Sequence, residues 1–390
     1  MLFLYGCSVS WTKAIQYGSV VPAEFQDTVQ FKVQNGLIFL DVKINGERFK
    51  FLYDTGAPFS ISEEIQEEFS FKKVSSGHIK DSDHNRKAID WVQVDSIQIG
   101  GITFLDQTAF VGDFSANPVI KCIGFDGIVG SNLMRHSNWI IDPVSEEIIM
   151  SSDLKADWIN GLSEVPFSAN NQYSMRIDVN IGRATIHNVL VDFGSNRSVS
   201  LSDEILSVLK DRNIANIFLE ERGFRQTGIV GEPVKVKKEV TITDSLSLGG
   251  LPLSDVMIET GKTVSLGTDV LTRYHVVIDW DQHHLYLKDA KTIPHPEKTV
   301  GFKLGYTDQN GVYFESVLEN SEAHNRGIRD GMKVMQLDDL IFKEASDFCD
   351  YVGYEYKDSV FVQFKNQNGE LLSEKFPVRL ITDYLDEFAK

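Results

Sequence analysis

Residues 48 to 62 read Arg-Phe-Lys-Phe-Leu-Tyr-Asp-Thr-Gly-Ala-Pro-Phe-Ser-Ile-Ser. An apolar, aromatic run (Phe49, Phe51, Leu52, Tyr53) delivers one acid, Asp54, into a tight Thr-Gly turn, and a second apolar segment, Phe59 to Ile61, follows. Strand, acid, small-residue turn and strand hold a carboxylate on rigid backbone with its oxygens open to a cleft, the placement that acid or base chemistry needs. Asp-Thr-Gly alone is also an ordinary turn. The chain, however, presents the pattern twice. Ile186 to Val191 delivers Asp192-Phe193-Gly194-Ser195, and Val199 to Ile205 then opens a helix just as Ser62 to Phe69 does.

The spacing between the copies is nearly constant. Asp54 and Asp192 stand 138 positions apart; Gly130 and Gly267, in Ile128-Val-Gly-Ser-Asn-Leu-Met134 and Ser265-Leu-Gly-Thr-Asp-Val-Leu271, stand 137 apart. Asp142 and Asp279, which end matching apolar strands, also differ by 137. The Gly100-Gly101 and Gly249-Gly250 turns differ by 149, so the second copy carries an insertion before that turn and a deletion after it. A period preserved at several motifs is the mark of an internal duplication. The expected units are 28–155 and 168–290, both β-rich: Leu37 to Ile44 leads to Asn45-Gly46, a hairpin signal, with Phe49 to Tyr53 as the return strand.

Leu52-Tyr53-Asp54-Thr55-Gly56-Ala57 resembles the signature of the aspartic protease family, and Ala57 gives it a retropepsin-like rather than pepsin-like form. The resemblance covers residues 30 to 290. It implies a mainly β fold in which two tandem retropepsin-like β-barrel halves form a bilobal, pepsin-like unit. It also implies that Asp54 and Asp192 share one proton, one activating water as a base while the other, protonated, polarises a peptide carbonyl. Thr55, Gly56, Phe193 and Gly194 would form the two active-site loops, braced from below by the segments ending at Gly130 and Gly267. Phe193 departs from the family, since it stands where a Thr hydroxyl would cross-bond the opposite loop. Two outcomes follow: a modified dyad that cuts peptide bonds, or an inactive protease-like scaffold that binds extended peptides. Asp81, Asp83 and His84 fall where a flap would cover substrate, in a stretch that also reads as a solvated loop. Gly228 to Gly231 would be a second flap tip or a plain hairpin.

After Pro294 and Pro296, a linker by composition, residues 298–382 read as a small α+β domain. Val300-Gly301-Phe302 and the segment Ser321-Glu-Ala323, Gly327-Ile328, Asp330-Gly331 resemble a PDZ domain in its bacterial arrangement. That resemblance implies capture of peptide or protein C-termini at Gly301 and Phe302.

The 390-residue chain carries a formal charge of −18, which argues against nucleic acid as a partner, because phosphate recognition needs a basic surface. The 25 Phe and 12 Tyr suffice for packed cores. Three cysteines, Cys7, Cys122 and Cys349, lie far apart and predict neither a disulfide framework nor a zinc site. His283-His284 lacks further ligands nearby, so no metal and no cofactor is expected. Residues 1–27 read as a lead-in. Met1-Leu-Phe-Leu-Tyr-Gly-Cys7 resembles the end of a bacterial lipoprotein signal, although its apolar stretch is short for a whole one. It gives the expectation of a place in the bacterial cell envelope, with Cys7 as a lipid anchor, while the fused second copy gives the expectation of a monomer.

Overall fold

The computed structural model describes residues 10–82, 84–226, 228, 233–292 and 297–388. The Cys7 anchor, Asp83, the hairpin tip beyond Gly228 and the Pro294 and Pro296 linker lie outside the described residues. The chain is mainly β.

The first hairpin forms as its pattern predicts. Leu37–Ile44 pairs antiparallel with Glu47–Asp54, with Ile44 opposite Glu47. Asn45 (φ 51) and Gly46 (φ 89) both take positive φ, the turn whose twist matches that of the strands. Phe51 and Tyr53 are fully buried in one apolar cluster, and Leu52 between them packs into a second on the other face. Ser60–Ser62 follows the turn, and Ser62 caps the helix Glu63–Phe69 by accepting from the Ile65 N–H at 3.2 Å. Gly127–Gly130 then inserts between the first two passes of chain, parallel to Glu47–Asp54 with Gly130 opposite Asp54, and antiparallel to Ser60–Ser62.

The second stretch repeats this order. Met175–Ile181 pairs with Ala184–Val191, Val199–Leu201 follows the turn, and Ser202 caps the helix Asp203–Asp211. Ser265–Leu266 inserts parallel to Ala184–Val191 and antiparallel to Val199–Leu201. The two stretches meet in a six-stranded sheet, where Asn138–Asp142 pairs with Tyr274–Asp279 and Trp139 lies opposite Ile278. Asp142 and Asp279 close turns by accepting backbone N–H groups: Val144 and Ser145 for the first, Asp281 and Gln282 for the second. One hydrophobic core runs through both stretches.

Three features differ from the sequence reading. The lead-in is built into the fold from residue 10 on. Ser19–Val21 pairs with Ile102–Gly112, Gln26–Gln30 pairs with Glu147–Ser151, and Trp11 stacks on Trp91 at 5.2 Å. These strands are short edge additions, which leave no periodicity for a sequence to show. Second, the C-terminal region shares a sheet with the second stretch. Gly311–Leu318 pairs with Leu219–Arg225, and the closing helix Ile381–Phe388 packs Ile381, Tyr384 and Leu385 beside Leu219 and Val240. Third, the expectation of no disulfide fails: Cys122 and Cys349 are bonded, with Cα atoms 4.9 Å apart. Their separation of 227 residues is closed by docking of the helix Pro118–Ile123 on the helix Asp347–Val352, a contact that spacing cannot reveal.

Candidate active site

Asp54 is the last residue of Glu47–Asp54, and Asp192 follows the last residue of Ala184–Val191. Each is anchored through backbone before its side chain is considered. Gly130 lies opposite Asp54, and the Asp192 N–H donates to the Leu266 carbonyl at 2.9 Å. The bracing loops match bond for bond. Ser131 N donates to the Ala57 carbonyl (2.9 Å) and Thr268 N to the Ser195 carbonyl (2.7 Å). The Ser131 hydroxyl also reaches the Gln172 carbonyl at 2.7 Å, and the Thr268 hydroxyl reaches the Gly36 carbonyl at 2.6 Å, so each brace also holds the opposite stretch.

The carboxyl groups converge. The Asp54 Oδ1 accepts from Gly56 N (2.7 Å) and Ala57 N (3.0 Å), and the Asp192 Oδ1 accepts from Gly194 N (3.1 Å). Each loop glycine faces the opposite acid: a Cβ on Gly56 would lie 2.7 Å from the Asp192 Oδ1, and one on Gly194 would overlap the Asp54 carboxyl. The two carboxyls lie side by side, and each bears on the other's titration. Burial pushes Asp54 above the ordinary carboxylate range, against the pull of its two backbone donors and of Asp192. Burial, and then the neighbouring Asp54 charge, push Asp192 well above it, while the Gly194 N–H and the Arg197 guanidinium draw it back. The Asp54 carboxyl accepts two backbone N–H groups where that of Asp192 accepts one, and the two titrate as a pair rather than as separate acids.

Thr55 is fully buried, and its hydroxyl donates to the Val191 carbonyl (2.6 Å) while accepting from the Phe193 N–H (3.1 Å). This clasp runs from the first loop to the second. The return bond has no hydroxyl to make it, because Phe193 stands there. Its fully buried ring packs edge-on against Tyr53 at 5.5 Å, and Tyr53 in turn packs against Trp139. An aromatic contact inside the core therefore replaces the second half of the clasp.

The acids face a cavity of about 490 Å³. Its walls include two hairpin tips and an apolar helix. Asp81 and Ser82, at the turn between Lys72–Lys80 and Arg86–Ile99, line it, as does Gly228 from the hairpin of Leu219–Arg225 and Val234–Thr243. The Thr263 hydroxyl donates to the Ser82 carbonyl (3.0 Å), and Asn117 Nδ2 donates to the Gly228 carbonyl (3.0 Å), so each tip is tied to the opposite stretch. His84 is exposed at the first turn. His284 pairs with Glu164 at 3.0 Å. Gly301 and Phe302 lie elsewhere: the Gly301 N–H donates to the Thr299 hydroxyl (2.9 Å), and the Phe302 ring is buried against Phe314.

Sequence reasoning missed Arg197, Asn117 and the helix Pro118–Ile123. Arg197 lines the cavity and is held by Glu259 at 2.7 Å; Val119, Ile120 and Ile123 supply apolar wall. The Asn-Pro pair at 117–118 is a helix-start signal that would have found the helix, though not its place over the acids.

Residues 40–133 match the family model described as aspartyl protease. This first stretch is aspartyl-protease-like. The match contains Asp54, Thr55, Gly56 and Gly130; Asp192 lies beyond it. The search of curated proteins found no match for the chain.

Proposed function

We propose that the chain is a single-chain aspartic endopeptidase built from two halves of one duplicated unit. The observation that carries the reading is the convergence of Asp54 and Asp192 on one cavity, each loop glycine facing the opposite acid and each loop braced by a glycine-bearing segment. Two carboxyls this close hold one proton between them at working pH. In this mechanism the ionised Asp54, supported by two N–H donors, takes a proton from a water that attacks the peptide carbonyl. Asp192 gives its proton to the carbonyl oxygen. The tetrahedral diol then collapses as a proton passes to the departing nitrogen. The cavity walls between the two hairpins suit an extended peptide. Thr55 orients both loops through its clasp, and Phe193 preserves the spacing by packing rather than by hydrogen bonding.

The test is cleavage of a mixed peptide library from pH 3 to 8 by wild type, Asp54→Asn and Asp192→Asn. Wild type is expected to cut, with each single substitution reducing kcat/KM by at least about 10³-fold, as removal of one member of a catalytic unit does. A folded wild type that cuts nothing at any pH sinks the peptidase reading and leaves a peptide-binding scaffold. In the same proposal residues 298–382 form a PDZ-like domain. Its element order supports that reading more than capture of C-termini at Gly301 and Phe302, whose N–H and ring are engaged internally.

A further inference from the structure

The C-terminal region touches two elements that line the cavity. At the first, its strand Gly311–Leu318 continues the sheet of the second hairpin, with Glu221 opposite Leu318, Arg222 opposite Val317 and Gly223 opposite Ser316. Close approach matters there, since a Cβ on Gly223 would come within 2.5 Å of the Ser316 Cα. At the second, Cys349 is bonded to Cys122 in Pro118–Ile123, the helix that supplies apolar cavity wall. Asn35 Nδ2 adds a bond to the Val352 carbonyl at 3.3 Å, and Val352 packs against the apolar cluster beneath that helix.

A third link closes the circuit. Asn117 caps the helix by accepting from Val119 N (2.9 Å), and its Nδ2 holds the Gly228 carbonyl at the tip of the second hairpin. From the helix, one path runs through Asn117 to the hairpin tip. The other runs through the disulfide and the C-terminal region to the first strand of the same hairpin. The cavity wall and the hairpin that covers it are thus two members of one closed ring.

We propose that the C-terminal region is a positioning element of the substrate cleft, with Cys349 and the Gly311–Leu318 strand fixing the helix Pro118–Ile123 against the second hairpin. This deepens the peptidase reading and rests on it for its kinetic consequence. The dyad takes no part in the ring, because Asp54 and Asp192 are braced separately by Gly127–Gly130 and Ser265–Leu266. Opening the ring at the disulfide, away from the charges that reach Asp192 through Arg197, therefore loosens substrate binding and leaves the chemical step alone.

The test compares the full-length wild type with the double variant Cys122→Ser/Cys349→Ser and with Gly223→Val. A fluorogenic peptide selected from the library for cleavage by wild type serves as probe, and hydrogen exchange is followed by mass spectrometry. KM is expected to rise roughly fivefold or more in both variants, and in the cysteine variant kcat and its pH profile are expected to stay unchanged, the signature of lost ground-state positioning. In the cysteine variant, exchange is expected to accelerate at Leu219–Arg225, which the disulfide does not touch. An unchanged KM, or exchange that quickens only beside residues 122 and 349, overturns the proposal. If Gly223→Val does not fold, the cysteine pair decides. If wild type cuts nothing, the peptidase reading has failed, and exchange at Leu219–Arg225 alone decides whether the ring exists.

Discussion

At the scale of single residues, the site is asymmetric in a way that makes opposite demands on Thr55 and Phe193. Thr55 carries the only hydroxyl of the clasp between the loops, so Thr55→Val, which keeps shape and removes both bonds, is expected to cut kcat/KM sharply. Thr55→Ser should retain most activity. Phe193→Thr supplies a hydroxyl to the second loop but empties a core site packed against Tyr53. We expect it to lose about 3 kcal/mol of stability in denaturant unfolding, the usual cost of a buried Phe truncation. The acids give a second residue-scale prediction. Burial raises both carboxyls, so the native state keeps a proton that the unfolded chain releases above about pH 4. Their contribution to stability is therefore present at low pH and lost as pH rises through the raised values. Asp192→Asn removes this penalty and should gain about 1 kcal/mol at pH 7, measured by urea unfolding, while losing cleavage.

At the scale of elements, the two bracing segments explain why glycine ends each. Gly130 and Gly267 have φ of −105° and −99°, which any residue adopts, so conformation is not the reason. Space is. A Cβ on Gly130 would lie 2.5 Å from the Pro58 oxygen, and one on Gly267 would lie 2.6 Å from the Ser195 oxygen, both rigid backbone. Gly130→Ala and Gly267→Ala are each expected to destabilise by about 2–3 kcal/mol through overpacking and to displace the acid loop above. A variant that keeps both its melting temperature and its kcat would show that the loops do not need this contact. The helices that open after Ser62 and Ser202 and the Asn45-Gly46 turn were legible in advance because their chemistry is local: one side chain, one backbone donor, one pair of φ angles.

At the scale of the whole molecule, a line of buried charges crosses from the cavity to the C-terminal region. Arg197 and Lys238 both reach Glu259 at 2.7 Å, and Glu221 accepts from the Ser316 hydroxyl of the C-terminal strand. Burial would raise both Glu221 and Glu259, but nearby Lys238, joined by Lys303 at Glu221 and by Arg197 at Glu259, outweighs it and holds each down to about 2. Depressed carboxyls stabilise the folded chain fully above their unfolded value of 4.5, and that stability drains away as pH falls from 4.5 towards 2. Glu259→Gln takes from Arg197 and Lys238 the anion they share, leaving Lys238 only the more distant Glu221, and should cost about 3 kcal/mol at pH 7. The gap from wild type should narrow at pH 3. A gap that stays constant with pH would refute this role for the network.

Asp54 with its turn, Asp192 at the matching spacing and the glycine-bearing braces were set by the sequence itself. Each is a short-range pattern, and repetition at one interval made it readable. The sequence also marked Phe193 as out of place. Tertiary structure decided the rest. Only packing shows that the Phe193 ring lies against Tyr53, that Cys122 meets Cys349, and that Gly311–Leu318 joins the sheet of Leu219–Arg225. The partners in these contacts stand roughly 95 to 227 residues apart, and no local periodicity records which surfaces a folded chain brings together.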